Sequence, residues 1–432
     1  MKATGNVVLV IGGDGRAHAL AWKLAQSPRV AKVFVAPGNA GTASEEKCVN
    51  IPIDVLNNDA LVQFVKAEKI DFAVVSPEGP LANGVVDAFQ KVGLKIYGPT
   101  REAARIETSK LAGKVLMNRH RIPTAAHIGY CAVETAYQDA VKRTVPFVVK
   151  ADGLAAGKGV EVVTDIAKAR EIIERLFKIG GKGARILIED FIGGDEEASF
   201  IVMSDGKNVL PLATSQDHKR LLAGDQGPMT GGMGAISPAP IITPELHERI
   251  MHEIIMRAVD GMRADGTPFT GFLYAGLKVD EGGNPQVLEF NVRLGDPEAQ
   301  AILMRLKSDF FTLLEHAIDG TLDQVRAEWD PRPAVGVVLA TRGYPDNPRK
   351  GDEITGLQKI MGSFFKVFYA GTKRDGDGKI VTNGGRVLCV TSKADTFRYA
   401  CAWAYKVVLD IRFEGMQYRL DIGQKAVDWE EK

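Results

Sequence analysis

Between Asn6 and Pro99, short continuous apolar runs alternate with segments that are apolar on one side only. The runs are "VVLVI", "VFVAP", "FAVVSP" and "KIYGP"; helices are predicted from about Ala17, after Asn58 and after Pro80. A short β-branched run without alternation reads as a strand covered on both faces. Strand–helix alternation then gives βαβ units and a parallel sheet, with ligands beyond the carboxyl ends of its strands. Those ends carry "GGDGRAH", "APGNAGT", "SPEG" and "GPT". A further helix is predicted from about Arg101 to His120, and Pro123 in "RIPTAA" ends the unit.

Beyond this point the rhythm changes. Strands "PFVVKA", "VEVVT", "ILIEDF" and "ASFIVMSDG" accompany one charged helix over about 165–178, and strands ending in "LYAGLKVD" and "PQVLEFNVR" surround a long helix over about 244–264. From about Arg332, "AVGVVLATRGYP", "KVFYAGT" and "GGRVLCVT" precede the helix "TFRYACAWAYKVVL", in which Trp403 and Tyr405 read as core. The pattern predicts an α/β and α+β multidomain chain. Its parts are a Rossmann-like parallel-sheet domain over 1–122, a smaller unit with a glycine-rich flap over 123–194, a larger unit over 195–330, and a small α+β domain over 331–432.

Composition narrows the function classes. The chain has 432 residues, too many for a single core, and its 54 basic and 54 acidic side chains leave no net field to draw nucleic acid or an anionic membrane. Four scattered cysteines, Cys48, Cys131, Cys389 and Cys401, form no C-x-x-C pair and read as reduced, mostly core residues. The five-residue apolar run near the start is too short for a signal segment, and no stretch approaches eighteen apolar residues. The expectation is a cytoplasmic protein that binds neither nucleic acid nor membrane.

Candidate chemistry begins at "VVKADGLAAGKGV", residues 148–160, where a strand runs through Lys150 into a stretch with Gly153, Gly157, Lys158 and Gly159. Glycine lets a loop close over a ligand with its N–H groups free, and lysine offers point charges to phosphate oxygens. The P-loop pattern is nearly present but not completed, because Gly159 stands where the magnesium-holding hydroxyl belongs. A nicotinamide fingerprint fails as well, since His18 occupies its third glycine position. In "LEFNVRLGDPE", residues 288–298, strand alternation sets Glu289, Asn291 and Arg293 on one side and Phe290 and Val292 on the other. A carboxylate and an amide oxygen suit magnesium completed by phosphate and water, and "GDPE" directs Asp296 and Glu298 toward the same end. "IEDFIGGDEEAS", "SQDHKR" and "GDQGPMTGGMGA" add further polar rows around the flap.

Taken in order, "GRAHALAWK", "APGNAGTA", "VVKADGLAAGKGV", "SQDHKR", "TGGMGA" with "SPAP", "GFLYAGL", "LEFNVRLGDPE" and "NGGRVLCVT" resemble the glycinamide ribonucleotide synthetase family of the ATP-grasp superfamily, over essentially the whole length. The resemblance implies an ATP-grasp unit and the ligation of glycine to 5-phosphoribosylamine through a glycyl phosphate. It implies ATP and Mg2+, with Mn2+ as a substitute, and a monomer or weak homodimer. Carried over by position, Lys110, Lys150 and the flap residues Gly157, Lys158 and Gly159 look like nucleotide-phosphate contacts. Glu189, Phe191 and Glu197 look like adenine and ribose contacts, and Glu289 and Asn291 like metal ligands. Arg293, Lys150 and Asp217 look catalytic. Gly12, Gly15, Arg16, Asn39, Glu78, Thr230, Gly231, Gly232, Met233 and Asp296 look like the amine-substrate pocket. Several positions depart from the family's usual pattern. Its Gly-Gly-Arg-Glu-His is here Asp14 to His18, its "GPE" is Ser76, Pro77, Glu78, its "GPNTGG" runs through Gly227, Pro228 and Met229, and its Arg-Phe-Gly is Arg293, Leu294, Gly295. The hinge "IGGDEEAS" is one residue longer.

Overall fold

The structure is a computed structural model that describes residues 5–154, 159–181, 183–194, 196–357 and 364–431. Its first sheet is parallel, five-stranded, and ordered Cys48–Asn50, Val30–Pro37, Asn6–Gly12, Phe72–Val75, Ile96–Tyr97. Both faces are covered. Leu9 and Ile11 face one cluster of buried side chains, and Val8 and Val10 face another. The helix Gly15–Ala25 starts where the central strand ends, because the Asp14 carboxylate caps it by accepting from Ala17 N at 2.8 Å.

Two antiparallel sheets follow. One is ordered His127–Tyr130, Ile186–Asp190, Phe147–Ala151, Val160–Val163; the other Val209–Pro211, Glu196–Asp205, Thr270–Val279, Pro285–Asn291. The glycine-rich stretch therefore joins antiparallel neighbours, with Lys150 opposite Val160, and no helix follows it directly. A hairpin connection is what a phosphate-covering flap needs and a P-loop lacks. A last five-stranded sheet is ordered Gln216–Asp217, Gly234–Ser237, Ala334–Ala340, Arg386–Lys393, Phe365–Tyr369, so "SQDHKR" and "TGGMGA" pair into the sheet formed by the C-terminal segment.

Some expected elements differ. The single helix expected over 101–120 is two, Arg105–Thr108 and Lys110–Arg119. Ser109 breaks it with an extended backbone and caps the second helix by accepting from Ala112 N at 3.1 Å. The helix after Pro80 is likewise two short pieces, Glu78–Ala82 and Val85–Gln90. The long helix over 244–264 runs as expected but widens to a π turn at Met251–Ile255. Trp403 is 39% exposed beneath Lys406 instead of packed in the core. Of the cysteines Cys389 is buried, but Cys131 is exposed. Trp403 lies on the outer side of its helix and Cys131 in the bend between the His127–Tyr130 strand and the Val133–Ala140 helix, which composition alone does not resolve.

Candidate active site

The Pro285–Asn291 strand behaves as its alternation predicts. Phe290 and Val292 are buried in the core, while Glu289, Asn291 and Arg293 share the other side, where Arg293 Nη2 donates to Asn291 Oδ1 at 3.2 Å. Lys110, at the start of the helix that Ser109 caps, pairs closely with Glu289. Burial alone would raise the Glu289 carboxyl, but Lys110, Lys219 and Lys150 pull it well below the usual carboxylate range. One oxygen, Oε2, pairs with Lys110, and Lys219 and Lys150 act on the carboxylate as nearby charges. Glu289 and Asn291 offer hard oxygen donors of the kind a divalent ion takes, and phosphate, not the surrounding lysines, would supply the rest of its negative shell.

The two antiparallel sheets meet at a buried ionic triad. Glu189 Oε2 accepts from Lys150 at 2.8 Å and from Lys114 at 3.1 Å, and Lys150 also donates to Leu288 O at 3.1 Å. Glu189 is 2% exposed, and its other oxygen, Oε1, has no protein partner, which leaves an acceptor for a ligand donor such as an exocyclic amine. Burial lowers Lys114 to about 8, with Lys150 and Lys110 adding to the effect against Glu189. Sequence reasoning missed Lys114, although it follows Lys110 by four residues on the same helix face. Phe191 lies at the hinge, 41% exposed, with Lys278 Nζ 4.9 Å from its ring centre. Glu197 accepts from Lys219 Nζ at 3.1 Å. Gly159 accepts from Ala151 N at 2.7 Å. Gly157 and Lys158 lie outside the described residues.

Asp217 lies nearby with Glu298, Ser199 and Tyr274. Ser199 Oγ is 2.8 Å from the Tyr274 hydroxyl and donates to Glu298 Oε1 at 3.2 Å. Burial, with Glu298 and Glu197 adding to it against Lys219, raises the Asp217 carboxyl to about 7.

The N-terminal turn closes the other side. Gly15 packs so tightly that a Cβ there would come 2.4 Å from Gln300 Nε2 and 3.1 Å from Asp296 Oδ1. Asp296 in turn accepts from Gln300 Nε2 at 2.8 Å. Arg16 donates to Leu294 O at 2.7 Å, and Glu78 lies between two arginines, 3.6 Å from Arg16 Nη2 and 3.2 Å from Arg293 Nε. Glu107, which sequence reasoning also missed, holds Arg293 from behind at 3.3 Å and accepts from Val292 N at 2.6 Å. Asn39 commits its amide to Gly13 O, Tyr369 O and the N–H groups of Gly41 and Thr42, so it shapes the wall of the pocket. Thr230, Gly231 and Gly232 line the same region, with Gly231 N donating to Tyr344 Oη at 3.0 Å, but the Met233 side chain is fully buried away from it. Arg386 binds this loop and the Asp296 turn together through the carbonyls of Gly231 and Asp296.

A cleft between two antiparallel sheets, lined by lysines on one side and a carboxylate–amide strand on the other, with the glycine-rich connection between the paired strands Phe147–Ala151 and Val160–Val163 beside Lys150, defines an ATP-grasp architecture. Family models for phosphoribosylglycinamide synthetase match the chain in sequence order: the N domain over 6–107, the ATP-grasp domain over 108–299 and the C domain over 334–425. The phosphoribosylamine–glycine ligase of Neisseria meningitidis serogroup A is 55% identical over 98% of this chain and 99% of its own length, and that of Ralstonia nicotianae 53% identical over 97% and 99%. The crystal structure of the phosphoribosylamine–glycine ligase from Thermotoga maritima superposes with a TM-score of 0.83 at 34% identity, covering 96% of this chain and 100% of that one. A biotin carboxylase from Campylobacter jejuni shares the fold alone, with a TM-score of 0.72 at 15% identity over 97% of this chain and 94% of its own. The chain belongs to the phosphoribosylamine–glycine ligase family of ATP-grasp enzymes, whose chemistry uses ATP and a divalent metal.

Proposed function

We propose that the protein joins glycine to 5-phosphoribosylamine at the expense of ATP, giving glycinamide ribonucleotide, ADP and phosphate in purine biosynthesis. The observation that carries this reading is the unbroken chain of ion pairs Asp14–Arg16–Glu78–Arg293, continued by the hydrogen bond from Arg293 to Asn291, which runs from the N-terminal turn to the strand that carries Glu289. A glycine carboxylate oxygen attacks the γ-phosphorus while the bond to the ADP oxygen breaks. The amine nitrogen then attacks the glycyl carbonyl carbon, phosphate leaves, and the nitrogen loses one proton. Two anions must approach in the first step, so fixed cations decide the barrier.

Lys110 and Lys150 neutralise the phosphates, the flap with Gly157, Lys158 and Gly159 excludes water, and Glu189, Phe191 and Glu197 hold adenine and ribose. Glu289 and Asn291 would hold Mg2+, for which Mn2+ can substitute, and the ion would screen phosphate charge. Arg293 orients the carboxylate and the transferred phosphoryl group, and Asp217 accepts the amine proton. Its raised pKa suits that task near neutral pH. Gly12, Gly15, Arg16, Glu78, Asp296 and the 230–232 loop receive the amine substrate, within a wall set by Asn39, with Met233 buried behind the loop. The same reading divides the chain at 122, 194 and 330 and assigns a cytoplasmic monomer or weak homodimer. Among the described residues no helix is long and apolar enough to cross a membrane.

Glycine labelled with 18O in its carboxylate provides the test. One labelled oxygen per turnover is expected in the released phosphate, because the acyl phosphate breaks at carbon; label retained wholly in the product would contradict an acyl phosphate.

A further inference from the structure

Three of the positions that depart from the family's usual motifs, Asp14, Ala17 and Ser76, come together at one point in the fold. Ser76 Oγ donates to Asp14 Oδ1 at 2.6 Å, and the same oxygen accepts from Ala17 N at 2.8 Å. Asp14 Oδ2 accepts from Arg16 Nε at 3.2 Å and from Nη2 at 2.8 Å. With Nη1 held by Leu294 O at 2.7 Å, the guanidinium is fixed on three sides and turned toward Glu78. Ala17 is fully buried. It and Ser76 pack against Gly12, where an added Cβ would come within 3.0 and 2.7 Å of their Cβ atoms. A long side chain at position 17, which is fully buried with the Asp14 carboxylate bound to its backbone N–H, would have to displace its neighbours.

We propose that Asp14, locked by Ser76, is the positioning residue that aims Arg16 into the amine-substrate pocket, and that Asp14, Ala17 and Ser76 form one compensated set. In this set the carboxylate that restrains Arg16 reaches it from the turn before the helix, not from the residue after the arginine. Arg16 stabilises the ionised Asp14, so its carboxyl stays below the usual range although burial opposes this. A charged pair in a fixed fork geometry is directional, and its loss leaves the guanidinium free to turn toward Glu78 alone.

This inference rests on the pocket assignment proposed above, so the test includes a readout that does not need turnover. Asp14→Asn keeps an oxygen for the helix cap and for Ser76 but removes the charge from Arg16. It is compared with Asp14→Gly, with Ala17→Glu and with the triple variant Asp14→Gly, Ala17→Glu, Ser76→Gly. Ribose 5-phosphate, which carries the phosphosugar without the labile amine, is titrated calorimetrically against each, alongside KM for each substrate and the melting temperature. Asp14→Asn is expected to weaken ribose 5-phosphate and to raise KM for phosphoribosylamine by about tenfold, with the ATP and glycine constants unchanged. Ala17→Glu alone should impair the same two quantities, and the triple variant should recover most of the loss. Unchanged ribose 5-phosphate affinity and amine KM in Asp14→Asn would reduce Asp14 to a helix cap, and a triple variant no better than Asp14→Gly would show that the set is not compensated. A parent chain that fails to bind ribose 5-phosphate overturns the inference, whereas one that binds it but does not ligate overturns only the assigned reaction.

Discussion

Glu289 shows what a single side chain contributes. It pairs with Lys110 in the field of Lys219 and Lys150 and has Asn291 beside it as a second hard-oxygen donor on the strand face. Replacing it by glutamine keeps the shape and removes the charge. Glu289→Gln is expected to raise the barrier by about 3 kcal/mol or more, roughly two orders of magnitude in kcat. The melting temperature should stay near that of the parent, because the side chain is part-exposed and its partner Lys110 can turn to solvent. Wild-type turnover at saturating magnesium would remove Glu289 from the metal site. This strand row was legible beforehand because alternation alone sets residues 289, 291 and 293 on one side. Their counter-ions were not. Lys110 and Glu107 lie more than 170 positions away in sequence, and only the packing of the helices before residue 120 against the strand brings them in. Lys114 was hidden for a related reason: a lysine on an amphipathic helix ordinarily faces solvent, and here it meets the buried Glu189 carboxylate.

Among the elements, the break at Ser109 matters most. Ser109 Oγ donates to Asp152 Oδ1 at 2.9 Å, and the same oxygen accepts from Leu111 N at 3.1 Å, so the residue that opens the glycine-rich hairpin also holds the first turn of the Lys110–Arg119 helix. The helix start that carries Lys110 and the base of the flap are therefore one assembly. Ser109→Ala should cost about 1 kcal/mol of stability through the lost cap. It should also raise KM for ATP more than that for glycine. A lower melting temperature with an unchanged ATP constant would separate the cap from the nucleotide site. Apolar periodicity continues across residues 101–120, which is why the sequence reads as one helix. The interruption comes from a side chain–backbone bond that periodicity does not register. The strands Asn6–Gly12, Val30–Pro37 and Phe72–Val75 were legible for the opposite reason, since uninterrupted β-branched runs that short fit little else.

At the scale of the whole molecule, the C-terminal segment does more than cover one end. Its sheet pairs with Gly234–Ser237, and through that strand with Gln216–Asp217, and Arg386 ties the 230–232 loop to the Asp296 turn. His18 joins the same segment to the first helix by accepting from Tyr369 N at 2.8 Å and meeting Glu45 at 2.9 Å. These links were invisible in the sequence, because "QD" and "GAIS" are too short and too polar to announce themselves as strands. The parallel sheet, the antiparallel strands on either side of the glycine-rich stretch and the alternation of the 285–291 strand were visible. The cleft between the two antiparallel sheets couples ATP cleavage to the union of two substrates. ADP release measured with glycine alone, with phosphoribosylamine alone and with both tests it most directly. Sustained release only when both are present, with stoichiometric glycinamide ribonucleotide, is the predicted result; equal release with either one alone, or with another amine in place of phosphoribosylamine, would contradict it.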